Sequence, residues 1–289
     1  AKAQGRNTLR FFDPAMQAAA TARAELEADL RHALQNRVFE LHYQAQLDSQ
    51  GRLCGVEALL RWPHPERGWI APATFIPLAE ETGLILPIGL QVLEIACMQL
   101  VSWAAQPHLA SLDLAVNVSA RQFRQPDFVS QVLGVIDRIG ADPHRLKLEL
   151  TESLLVDNME ETIVKMRALK ARGIGFSLDD FGTGYSSLGY LKRLPLDEIK
   201  IDQSFVRDVL NDPNNASIAH SILALGQSLN LDVVAEGVET EAQHVFLADR
   251  GCQTYQGYLF NRPQPSALFE AWAHTQPVRP ARPSGAHRL

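Results

Sequence analysis

Residues 39–62 read FELHYQAQLDSQGRLCGVEALLRW, and this stretch decides the fold. Two strand-like runs, FELHYQAQLD and RLCGVEALLRW, are separated by little more than Asp48-Ser49-Gln50-Gly51. So short a turn permits only an antiparallel hairpin, because a parallel crossover needs a dozen or more residues. The connections further along are longer and carry helical periodicity, in residues 73–106, 127–140, 158–173 and 216–230. They read as the helices of βα units in a parallel sheet.

Seven apolar runs each present one polar or charged residue near the C-terminal end. These are Glu57 in GVEALLRW, Asn117 in LDLAVNVS, Glu149 in LKLELTES, Asp179 in GFSLDDF, Lys200 in DEIKID, Glu236 in LDVVAEGVE and Gln256 in QTYQGYLF. With the first strand around Tyr43-Gln44 they make eight strands, which fits an α/β fold of the modified TIM (β/α)8 type with its first strand antiparallel. A doubly wound open sheet is the competing architecture, but it would not bring seven strand ends to one point.

The chain has 289 residues, a net charge of -6 and 46% hydrophobic residues. That acidic balance argues against a nucleic-acid polymer as partner, since counterion release needs a basic surface. Cys54, Cys97 and Cys252 are far apart and form no CxxC pair, so they read as buried thiols in a reducing, cytoplasmic compartment. No apolar run is expected to reach the roughly 18 residues that span a bilayer, and no membrane contact is expected of this stretch, although a longer protein could be anchored through upstream segments.

Polar groups at the ends of buried strands are costly unless paired or metal-bound. Glu57, Glu149, Asp179, Asp180 and Glu236 set five carboxylates against the single ammonium of Lys200, leaving four net negative charges if they converge. Two divalent cations would balance them. The donors are oxygens, with Asn117 as a neutral carbonyl, so Mg²⁺ or Mn²⁺ fits better than zinc. The histidines, among them His42, His64, His108, His144 and His220, show no ligand spacing and read as surface or core residues. A two-metal oxygen site suits displacement at phosphorus.

The tripeptide Glu57-Ala58-Leu59 followed by Leu60-Arg61, with NVS, ELTES, DDFGTGYSS, KID, AEGVE and YQGY in order, resembles the EAL domains, the cyclic di-GMP phosphodiesterases of bacterial signalling. The resemblance covers about residues 25–272. It implies hydrolysis of cyclic di-GMP to linear 5'-pGpG by in-line attack of a metal-activated water. One metal would be held by Glu57, Asn117, Glu149 and Asp179, and a second by Asp179, Asp180 and Glu236. Lys200 and Glu236 would position and activate the water, so Lys200 is expected to serve the water instead of acting as a salt bridge for its acidic neighbours. Gln44, Leu59, Arg61, Asp180 and Gln256 would meet the substrate, Arg61 at a phosphate. Glu152 would anchor the DDFGTGYSS loop, and Glu239 would support it. Ca²⁺ is expected to inhibit. Ala45 stands where the family often has proline.

Residues 1–13 resemble the end of a GGDEF domain, which makes an upstream cyclase-type domain an expected partner. Residues 14–36 read as a linker or first helix, with Leu26, Leu30 and Leu34 on one stripe, and residues 273–289 as a disordered tail. The family also implies a homodimer formed through the region of the DDFGTGYSS loop. Two other functions compete: a catalytically silent cyclic di-GMP receptor, and a barrel enzyme that abstracts a proton beside a carboxylate.

Overall fold

The computed structural model describes residues 14–152, 154, 158–183 and 188–280. The sequence expectations for residues 1–13, and for most of the GTGYSS stretch, lie outside the described residues. In chain order the strands are β1 (Glu40–Asp48), β2 (Leu53–His64), β3 (Gly68–Ile70), β4 (Asp113–Val118), β5 (Leu146–Thr151), β6 (Gly175–Phe181), β7 (Glu198–Ile201), β8 (Asp232–Ala235), β9 (Thr254–Tyr255) and β10 (Gln264–Pro265). The α-helices are α1 (Pro14–Gln35), α2 (Pro72–Thr82), α3 (Ile85–Ala104), α4 (Ala120–Phe123), α5 (Phe128–Ile139), α6 (Met159–Lys170), α7 (Leu188–Leu191), α8 (Gln203–Arg207), α9 (Pro213–Leu229), α10 (Glu241–Ala248) and α11 (Ser266–Ala273).

Strands β2, β4, β5, β6, β7, β8 and β9 pair in that order, all in parallel. β1 closes the ring by pairing antiparallel with both β2 and β9. The result is an eight-stranded barrel with its first strand reversed, as the short turn requires. β3 and β10 add short antiparallel edges outside the ring.

The turn that reverses β1 is built by Asp48. Its Oδ1 accepts from the amides of Gln50 at 2.9 Å and Arg52 at 3.0 Å, while Oδ2 accepts from Arg52 Nε at 2.9 Å. Gly51 supplies the left-handed φ of 70° that completes the turn. Gly55 keeps the hairpin tight, because a Cβ there would meet Gln46 Oε1 at 2.6 Å.

Strand residues on the outer face of the barrel and the buried faces of the helices form one core that includes Val56, Leu114, Leu148 and Ile199 among the fully buried side chains. The expected stripe on α1 packs on it: Leu30 is fully buried, with Leu26 and Leu34 partly buried against the core. Residues 73–106 form two helices, separated where Gly83 takes φ 80° and caps α2. α3 corrects the expectation about apolar length, since a stretch of this 20-residue helix reaches a mean hydropathy of 1.7 and the helix suffices by length and composition to cross a membrane. In this fold Ile88, Ala96, Cys97 and Trp103 of that helix are buried. The expected tail is also corrected over its first part. Leu53 donates its amide to Pro277 O at 2.8 Å and accepts from Arg279 N at 2.9 Å, so the chain after α11 is tied to the start of β2. Residues 281–289 lie outside the described residues.

Candidate active site

Parallel pairing places Asn117 beside Glu149, and Lys200 beside Val234 one register position before the strand end at Ala235. The C-terminal ends of the parallel strands therefore finish at one rim. Lys200 reaches its centre. Its Nζ lies 2.6 Å from Glu236 Oε1, 3.0 Å from Glu149 Oε2, and 3.3 Å from both Glu57 Oε2 and Asp179 Oδ1. The lysine and Glu149 side chains are buried, at 1% and 0% exposure. This corrects the expectation that Lys200 is not an ion-pair partner of its neighbours: it bridges four of them.

The neutral residues order the carboxylates. Asn117 Nδ2 donates to Glu57 Oε1 at 2.7 Å, and Gln256 Nε2 donates to Glu57 Oε2 at 2.5 Å. Gln256 also donates to Gln44 Oε1 at 3.2 Å, and Gln44 in turn donates to the carbonyl of Asn261 at 3.1 Å. Gly257 makes the approach of Gln256 possible, since the backbone of Val238 occupies the place a Cβ would take.

Asp179 and Asp180 are adjacent on β6, and ideal strand geometry would point them to opposite faces. The β6–β7 register slips between Leu178 and Phe181, and Asp180 adopts φ 52°. Aspartate tolerates that left-handed conformation better than most residues. As a result Asp179, Asp180 and Glu236 each present a carboxylate oxygen within 4.8 Å of one another.

One ammonium does not neutralise so many carboxylates. Burial pushes Glu149 well above the usual carboxylate range, reinforced by the charge of Glu57. Burial also raises Glu236, to about 8, against the opposing pull of Lys200. Asp180 rises to about 6 through burial and the nearby charges of Asp179 and Asp202. Glu57 is the exception. Burial would raise it, but Lys200 and the donated bonds from Gln256 and Asn117 hold it below its ordinary value. Lys200 loses by burial and gains more from Asp179, Glu149, Glu236 and Glu57, so it stays charged.

This donor set fits hard divalent cations. The groups are oxygen donors, three of them within 4.8 Å, and Glu149 Oε1 is buried without a hydrogen-bond partner among the described residues.

The remaining expected residues divide. Glu152 Oε1 accepts from the amide of Gly182 at 3.3 Å, which ties the end of β5 to the start of the loop after β6. Leu59 and Arg61 lie farther along β2, half-buried, beyond Glu57. Glu239 is exposed and makes no side-chain contact with the carboxylates among the described residues. Three further residues belong to the site. Gln46 Nε2 donates to Gln256 Oε1 at 3.0 Å, Asn261 takes the Gln44 amide, and Asp202 acts on Asp180. Gln46 was signalled by its place two residues after Gln44 on the same face of β1. Asp202 was signalled by the KID segment. Asn261 carried no comparable signal.

An acidic rim bridged by a buried lysine, on a barrel with a reversed first strand, defines an α/β barrel with a candidate metal site. The chain belongs to the EAL domain family, whose model matches residues 27–263. It is 49% identical over 267 residues to the bifunctional diguanylate cyclase/cyclic di-GMP phosphodiesterase MucR of Pseudomonas aeruginosa, covering 92% of this chain and 39% of that protein. It is 40% identical to the cyclic di-GMP phosphodiesterase PdeR of Escherichia coli, covering 94% of this chain and 41% of PdeR. The solved PaMucR phosphodiesterase in complex with c-di-GMP superposes with a TM-score of 0.82 at 48% identity, covering 85% of this chain and 99% of that one. The chain thus spans well under half the length of MucR and PdeR.

Proposed function

We propose that this chain is a metal-dependent phosphodiesterase that hydrolyses cyclic di-GMP to linear 5'-pGpG. The observation that carries this reading is the single buried ammonium of Lys200 bridging Glu57, Glu149, Asp179 and Glu236 at one rim. Glu57, Asn117, Glu149 and Asp179 would hold one Mg²⁺ or Mn²⁺, and Asp179, Asp180 and Glu236 a second. When bound, such a pair offsets the charge on the attacking and leaving oxygens and makes water a nucleophile near neutral pH.

The chain's own residues do the rest. Gln256 and Asn117 fix the Glu57 carboxylate from both of its oxygens, so its orientation does not depend on solvent. Glu236, held 2.6 Å from the Lys200 ammonium, takes the proton of the attacking water at a carboxylate oxygen. Lys200 stays protonated throughout and orients that water toward phosphorus. The water attacks in line, the bond from phosphorus to the ribose 3'-oxygen breaks, the leaving oxygen takes a proton from solvent, and the ring opens to a 5'-phosphate and a free 3'-hydroxyl. Arg61 and Gln44 line the groove that receives the substrate. Glu152, through Gly182, ties the loop after β6 to this site.

In the whole protein we place an upstream GGDEF domain before α1, a homodimer formed near the loop after β6, and action in the cytoplasm. The upstream domain is supported by the bifunctional cyclase and phosphodiesterase character of MucR, and the dimer and the compartment rest on the family resemblance.

A hydrolysis assay on cyclic di-GMP with Mg²⁺, Mn²⁺ and Ca²⁺ in parallel tests the reading. Turnover with the first two and inhibition by the third is expected. Binding without turnover under every metal would replace it with the silent receptor.

A further inference from the structure

We propose that the indole of Trp69 is a stacking platform for one purine base of the dinucleotide, at the outer end of the groove that begins at Glu57. The proposal rests on the phosphodiesterase reading and extends it to a residue outside the acidic rim and its hydrogen-bonded neighbours.

The pleat of the first hairpin sets the geometry. Alternate residues of β2 share a face, so Glu57, Leu59, Arg61 and Pro63 form one row running outward from the rim. Across the hairpin Gln44 lies opposite Glu57, His42 opposite Leu59, and Glu40 opposite Arg61. Directly opposed residues project to the same side. β3 then turns back along β2 and sets Trp69 opposite Pro63, at the outer end of the same row. A ring contact confirms this facing: Trp69 and His42 meet at 5.2 Å between centroids and 66° between planes. Trp69 is therefore folded back over this row of residues and meets His42 in an edge contact.

The side chain has no packing role that explains it. Trp69 is 57% exposed, whereas Trp62 on the opposite face of the same hairpin is 1% exposed and belongs to the core. Among the described residues His42 is the only ring in contact with it, and that contact is steeply inclined. By contrast the other exposed aromatic ring near the mouth, Tyr258, is covered by the Arg262 guanidinium at 4.2 Å.

The neighbouring charge names the class of ligand. Arg61 is half-buried on the same row, its Nη1 donates to the carbonyl of Leu60 at 2.9 Å, and Tyr258 and Glu57 act on it electrostatically. A cation suited to a phosphate and an open indole one pleat repeat beyond it, about 7 Å along the strand, match a phosphate and a base joined through one ribose. Base-on-aromatic stacking contributes substantially to nucleotide affinity and tolerates any base, because every base has a π-face.

Steady-state kinetics on cyclic di-GMP with Mg²⁺, for the wild type, Trp69→Ala and Trp69→Phe, tests this. Trp69→Ala should raise KM about tenfold or more with little change in kcat, and Trp69→Phe should recover most of the loss. Binding of the dinucleotide with Ca²⁺ present should quench tryptophan emission in the wild type and much less in Trp69→Phe, a readout that stands even if the alanine variant folds poorly. An active wild type with an unchanged KM in Trp69→Ala, or equal quenching in Trp69→Phe, overturns the platform and leaves the phosphodiesterase reading intact. A wild type that neither binds nor hydrolyses the dinucleotide overturns the functional reading, and the platform with it.

Discussion

Lys200 Nζ lies 2.6 Å from Glu236 Oε1 and within 3.3 Å of three further carboxylates, so one buried cation holds the acidic rim together. Lys200→Met keeps the length of the side chain and removes its charge. Turnover should fall by at least about 100-fold, the scale of losing a positioned proton-transfer group. The metal-free protein should also melt lower, because the buried carboxylates lose their partner. Added Mn²⁺ should restore the melting temperature and leave turnover low. Recovery of turnover by metal alone would show that Lys200 acts only as a counter-charge.

The turn at Asp180 brings two neighbouring carboxylates to one side of β6. Asp180→Asn keeps a residue that tolerates φ near 52° and removes the charge. Metal affinity measured by calorimetry should weaken about tenfold or more, with the melting temperature nearly unchanged. A variant with wild-type affinity would remove Asp180 from the ligand set.

These two sites mark how far the sequence could be read. The reversed first strand was legible because four turn residues, Asp48 to Gly51, admit no crossover. The convergence of Glu57, Asn117, Glu149, Asp179, Lys200, Glu236 and Gln256 followed from their common position at strand ends. The contacts of Lys200 were not legible: strand position puts it on the rim but does not say whether its long side chain points to water or to acid. The register slip beside Asp180 was equally hidden, because it depends on pairing between β6 and β7. The ordered residues after α11 were misread for a related reason, since their polar, proline-rich composition carries no sign of the backbone bonds that Leu53 offers them.

Asp48 gives the hairpin a pH dependence of defined sign. Its burial would raise the carboxyl, but the bonds from Arg52 and from the turn amides lower it below the ordinary value of 3.8. A depressed carboxylate contributes stability that is fully present above that ordinary value and lost as the pH falls through the folded one. Asp48→Asn keeps an acceptor for the turn and loses the ion pair with the partly exposed Arg52. It should cost about 0.5–1 kcal/mol near pH 7, and the difference from wild type should shrink as urea denaturation is repeated toward about pH 3. A gap that stays constant across that range would assign the loss to turn geometry and not to charge.

Gly257 is the backbone contact on which the Glu57 carboxylate depends. A Cβ at this position would meet Val238 O at 2.1 Å and Val238 N at 2.3 Å, and both are main-chain atoms that cannot rotate away. The same segment is pinned by Val238 N donating to Gln256 O at 3.1 Å and Leu259 N donating to Val238 O at 3.0 Å. Gly257→Ala must therefore move one chain away from the other, at a cost of about 3 kcal/mol or more. Gln256 moves with it and lets go of Glu57. The variant should lose both melting temperature and turnover. Gln256→Ala, which leaves the backbone packing alone, should lose mainly turnover, and equal melting temperatures for the two variants would show that the close approach of Gly257 and Val238 is not what holds this edge of the site.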